Sequence, residues 1–148
     1  MKMLAIGAVI IGLSCGAVGL RADESREVSF TAIERGQYSD WYTKEARLAA
    51  RSAEEWTAAW KKLGVESLPT PPKVDFGKEM VIAVAMGHQG SSGYGIEVKK
   101  IEQTKDALIV HVKENRPPPN SVVLAVITEP YHIIRLRQSA LPVKFVTE

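Results

Sequence analysis

The sequence predicts an α+β domain that is mainly β: a predominantly antiparallel sheet of about six to eight strands with one early amphipathic helix packed on it. Three observations carry this. Short apolar or alternating runs recur along the chain, glycine- and proline-rich stretches separate them, and a single segment, Ser52 to Leu63, has helical periodicity.

The first residues are set apart from that fold. Met1-Lys2 is followed by an almost uncharged run from Met3 to Leu20 and then by Arg21-Ala22-Asp23, the layout of a secretory signal peptide. Gly7, Gly12, Ser14, Gly16 and Gly19 interrupt the run, which argues against a spanning helix of ~20 apolar residues. Cleavage is expected after Ala22, leaving a single domain at residues 23–148. Leu13-Ser14-Cys15-Gly16 loosely resembles the box at which bacterial lipoproteins are acylated, so lipidation at Cys15 is the alternative. Ordinary secretion is favoured, because Gly12 stands where such boxes carry a branched apolar residue. The expected location is secreted or periplasmic, within a bacterial envelope, with no membrane insertion after cleavage.

Removal of residues 1–22 takes away Lys2 and Arg21 and no acid, so 19 basic and 17 acidic side chains become 17 and 17. A neutral domain lacks the basic excess that neutralises phosphates, which excludes a nucleic-acid partner. The only cysteine leaves with the leader, and with it any disulfide framework or thiol nucleophile.

Val28 to Ile33 alternates as a half-buried strand, and Lys44 to Arg51 reads as an edge strand. Ser52-Ala53-Glu54-Glu55 then supplies a capping hydroxyl and a carboxylate three residues on. The helix it opens should end at Gly64, with Trp56, Trp60 and Leu63 on one face as core residues. Leu68-Pro69-Thr70-Pro71-Pro72 is a stiff connector. Met80 to Met86 is a continuous apolar run, expected as a central strand buried on both faces. Tyr94 to Ile101 and Ala107 to Lys113 form a hairpin. After the stiff Arg116 to Asn120 loop, Val122 to Ile127, Tyr131 to Leu136 and Val143 to Val146 are the last predicted strands.

Chemistry is sparse. His88, His111 and His132 show no paired metal-ligand spacing, so neither metal nor cofactor is expected. His111 reads as a solvated strand histidine and His132 as one bonding to a nearby loop. A secreted hydrolase, the alternative function, requires Ser91 or Ser92 activated by His88 or His132 and oriented by an acid such as Asp75, yet no nucleophile elbow surrounds either serine. Asp75 has a simpler role in tying the turn of Val74-Asp75-Phe76-Gly77. The Gly87 to Gly95 stretch lacks the Lys-Ser/Thr of a phosphate loop, and small-ligand binding is a third reading. What stands out is a concentration of recognition-type residues on two loops: His88, Gln89, Ser91, Ser92, Gly93 and Tyr94 on the first, Pro117, Pro118, Pro119 and Asn120 on the second. These are the expected partner-binding residues.

Three pieces in order carry a resemblance: Val74-Asp75-Phe76-Gly77-Lys78-Glu79-Met80-Val81-Ile82-Ala83-Val84, Gly93-Tyr94-Gly95-Ile96-Glu97-Val98, and Glu129-Pro130-Tyr131-His132-Ile133-Ile134. Together they resemble the C-terminal domain of the protease-complex subunit PrcB, over roughly residues 50 to 146. Ser92 departs from the family's pattern, which commonly has paired glycines before the tyrosine. The resemblance implies an exported or lipoprotein accessory subunit with no catalytic residues assigned to it, whose partner is a protein, such as a surface protease or its precursor.

Overall fold

The structure is a computed structural model that describes residues 24–38, 43–63 and 70–148. The predicted signal peptide, Cys15, the Gly64 helix stop and the Leu68-Pro69 part of the connector lie outside these residues. Eight strands and one helix follow in the order β1 (Arg26–Glu27), β2 (Phe30–Gly36), β3 (Glu45–Ala50), α1 (Ala53–Lys62), β4 (Glu79–Met86), β5 (Gly95–Gln103), β6 (Leu108–Asn115), β7 (Tyr131–Arg137) and β8 (Val143–Thr147). The mainly β class and the single early helix are as the sequence predicts.

The strands divide between two sheets of four, ordered β1-β5-β6-β8 and β2-β7-β4-β3. All pairings are antiparallel except β6 with β8. Alternation along β4 explains the layering. Met80, Ile82, Val84 and Met86 point between the sheets, against Ile96, Val98, Ile101, Val110 and Val112, while Val81, Ala83 and Ala85 point outward beneath the helix with Trp56 and Trp60. Because both faces of β4 are covered, its apolar run is continuous rather than alternating.

In the β5–β6 hairpin, Val98 pairs with Val112 but Ile101 pairs with Val110, a register shift that places an extra residue near Lys99. Without that bulge the side chains of Lys100 and Glu102 would take the inward positions; with it Ile101 reaches the core at 0% exposure.

The helix begins as its cap predicts. Ser52 has an extended backbone and its side chain accepts from Glu55 N at 3.1 Å. The Glu55 carboxylate reaches back to Arg51 N, one residue before the cap. Ser52→Ala removes the hydroxyl acceptor and is expected to lower the unfolding free energy by about 1 kcal/mol, read as a shift in urea midpoint with an unchanged slope.

One predicted strand is absent. Val122 to Ile127 joins neither sheet, and five of its side chains are exposed, Val122 at 102% and Leu124 at 68%. The residues suit a strand, but their polar backbone is captured locally. Leu124 is bonded to Ser92, and Val126 N–H turns back to Leu124 O at 2.9 Å, which bends the chain at Ala125.

Candidate functional site

β4 enters the candidate site at Gly87, whose φ of 67° lies in the left-handed region. A side chain there would meet the Glu45 backbone nitrogen at 2.8 Å, so both conformation and space call for glycine. From here the loop of residues 87–94 is laced to the long segment between β6 and β7. Gln89 and Thr128 exchange backbone bonds of 2.8 and 3.0 Å. Thr128 Oγ1 donates to Ser91 O at 2.8 Å, Ser92 N–H donates to Leu124 O at 3.0 Å, and Leu124 N–H donates to Ser92 Oγ at 2.9 Å. Gly93, at φ 93°, lies against Pro117. The two loops singled out in the sequence therefore meet at one end of the sandwich.

Their polar side chains largely brace the loops. Gln89 Nε2 donates to Met86 O, Ser91 Oγ donates to Ser92 O, and Tyr94 is half-buried against the inter-sheet core. His88 is more open: its Nδ1 lies 2.7 Å from the buried Glu129 carboxylate while over half of its side chain is exposed. In the second loop Ser121 N–H donates to Pro118 O at 3.1 Å and Asn120 takes φ 64°. A proline followed by a positive-φ asparagine is the pattern of a type II turn, and it leaves Pro118 and Pro119 at the surface.

Ion pairs fasten the two sheets near this end. Arg47 of β3 reaches Glu114 of β6, and Arg35 of β2 meets Glu97 of β5 at 2.9 Å. His132 corrects the expectation of a loop contact: it is 5% exposed on β7, and its Nδ1 accepts the Val98 amide of β5 at 3.0 Å. Burial holds this imidazole below its ordinary pKa, Arg35 adds to that, and Glu97 opposes it. His111 is likewise not a solvated histidine. It is half-buried, with Nε2 2.8 Å from Glu102 and Nδ1 3.0 Å from Glu148. The register places it opposite the Val98/Lys100 bulge, with carboxylates on either side.

The groups named for a hydrolase do not converge. Neither serine is bonded to a histidine, His132 is pinned between the sheets, and Asp75 accepts from Gly77 N at 3.0 Å on the turn before β4, at the other end of that strand. Among the described residues no group of three or more His, Cys, Asp or Glu side chains is arranged to hold a metal ion. An open cleft of about 370 Å³ lies between Arg35-Gly36-Gln37 and Gly95-Ile96. No helix among the described residues is long and apolar enough to cross a membrane.

The sequence reading missed the exposed apolar surface at this end, Val122 to Ile127, by taking the run for a strand. The available signal was its setting, between Pro117-Pro118-Pro119 and Pro130, which leaves little freedom to return to a sheet.

Fold and site together define a two-layer β domain with a helix on one face and a braced, apolar loop end, without an assembled catalytic group among the described residues. Residues 80–137, the stretch from β4 to β7, match the family described as PrcB C-terminal. The match is narrower than the span of residues 50 to 146 over which the sequence resembles it. No curated protein and no solved structure matches the chain.

Proposed function

We propose that the protein is an exported, non-catalytic accessory module that docks on a partner protein through the loop end formed by residues 87–94 and 117–127. A secreted or surface protease, or its precursor, is the partner class proposed, on the resemblance noted in the sequence. One observation carries the reading: Val122, Leu124 and Ile127 stand in water at 102, 68 and 64% exposure while the backbone beneath them is held by Ser92, Gln89 and Thr128. Exposed apolar side chains on a braced support lose little freedom on binding, which favours recognition. His88, Pro118 and Pro119 lie at the polar and rigid margin of this surface.

The test is a pull-down from envelope and medium fractions of the native organism, comparing the tagged wild type with a Val122→Lys/Leu124→Lys variant. Recovery of one protein with the wild type and at least about tenfold less with the variant is expected. Equal recovery by both, or no specific protein with either, overturns the reading.

A further inference from the structure

β5 has two edges, and its neighbours cover them unequally. β6 lies along one from Gly95 to Gln103. On the other, β1 pairs with Glu102 and Gln103, and Val28 N–H adds a bond to Ile101 O at 2.8 Å before the chain crosses to the other sheet at Phe30. From Gly95 to Lys100 no described strand follows on that side. The register shows which groups face the gap. In β6, Val112 O and Glu114 N–H turn away from β5 to Glu148, just after β8. Main-chain groups alternate sides along a strand, and opposed residues in a non-bonded pair both turn theirs away from each other. Ile96, opposite Glu114, and Val98, opposite Val112, therefore direct their groups to the open side of β5. Val98 N–H is met there by His132 Nδ1. Ile96 N–H and C=O have no partner among the described residues.

We propose that the open side of β5 at Ile96 takes an extended, uncharged segment of a partner polypeptide, paired antiparallel in the line that β1 leaves at Val28. The cleft of about 370 Å³ between Gly95-Ile96 and Arg35-Gly36-Gln37 is where β5 and β2, the edge strand of the other sheet, stand apart. Ile96 is 2% exposed, so bulk water serves its main-chain groups poorly, whereas β2 and β8 are largely exposed strands whose edges are open to it. A buried donor and acceptor without partners raise the free energy of the domain until something bonds to them. In an antiparallel pair one residue exchanges both of its main-chain bonds with the residue opposite. A single residue of an added strand therefore complements Ile96, with no side chain required of it.

The surroundings favour main chain over a charged ligand. Arg35, the cation among the lining residues, is held by Glu97 at 2.9 Å and offers no free charge to an anion. His132 also sets where pairing stops: with Val98 N–H already bonded, the added strand is short, unlike the long open edges that aggregate. Gly95 directly follows the loop of residues 87–94, so a chain docked on the loop end reaches this edge without a break, and tethering raises its effective concentration there. The pairing rests on the docking reading for its partner and adds the form in which that partner's chain is held.

The test uses the purified, isotopically labelled protein and a capped hexapeptide of alternating threonine and valine, read by amide nuclear magnetic resonance. It needs no native partner, so its failure is distinct from failure of the pull-down. Two main-chain bonds to a free peptide give a site of about millimolar affinity. At about 2 mM peptide the Ile96 amide proton is expected to move downfield and its exchange with solvent to slow by about threefold, the effect of two-thirds occupancy. The same peptide N-methylated throughout keeps its side chains and loses its donors, and is expected to leave Ile96 unmoved. An Ile96 amide that does not respond, an equal response to the methylated peptide, or shifts confined to β2, β3 or β8 overturns the proposal.

Discussion

Trp56→Ala is expected to lower the unfolding free energy by about 3–5 kcal/mol, the usual range for deleting a large buried aromatic. Trp56 is 2% exposed and is central to the cluster that joins the helix to the outer face of β4 and β7. Its ring meets Trp60 edge-on, with centroids 5.4 Å apart, and its indole N–H donates to Pro72 O at 3.1 Å. One side chain therefore ties the helix to the sheet and also fixes the chain returning toward β4. A small domain has only about 5–15 kcal/mol of net stability, so the loss is a large share of the whole. Trp56→Phe separates the contributions, keeping much of the ring packing and removing the N–H, at an expected cost nearer 1–2 kcal/mol. Urea denaturation of both variants checks this. A loss under about 1 kcal/mol for Trp56→Ala would show that the helix contributes little to folding.

The residues that make the helix legible are those that stabilise it. Ser52 and Glu55 announce its start through local bonds, and Trp56 and Trp60 announce its buried face through spacing alone. Met80 to Met86 was equally readable, because burial on both faces leaves an unbroken apolar run. The division into two sheets was not. It depends on long-range pairing, such as the parallel alignment of Leu108 with Val143, for which local periodicity carries no signal. The error at Val122–Ile127 has the same origin. Strand propensity measures fit to a pleated, half-buried surface, and here no neighbouring strand supplies one. Loop residues were found where glycine and proline cluster, but the roles differ. Gln89, Ser91 and Ser92 look in sequence like recognition groups, whereas much of their hydrogen bonding braces the backbone that presents Leu124.

His132 was the residue least open to sequence reading, since its partner is a backbone amide on a different sheet, and it gives the second large expected effect. Nδ1 must carry a lone pair to accept the Val98 N–H, which puts the proton of the neutral ring on Nε2. Protonating Nδ1 would set two N–H groups against each other between the sheets. The folded state accordingly holds the imidazole neutral and its pKa below the ordinary value, while the unfolded chain takes up a proton near pH 6.5. The sign follows: this contribution to stability is present above about pH 6.5 and is lost as pH falls from there through the depressed folded pKa, below which the residue adds no further slope. His132→Phe leaves the Val98 amide unpaired and is expected to cost about 1–3 kcal/mol at neutral pH. His132→Asn places an amide oxygen near Nδ1 and does not titrate, so it should retain more of the neutral-pH stability than His132→Phe and lose less on acidification than the wild type. Urea midpoints measured between about pH 8 and pH 5 decide it. Parallel acid profiles for wild type and His132→Asn would overturn this, leaving His132 a structural acceptor whose protonation has no consequence for stability.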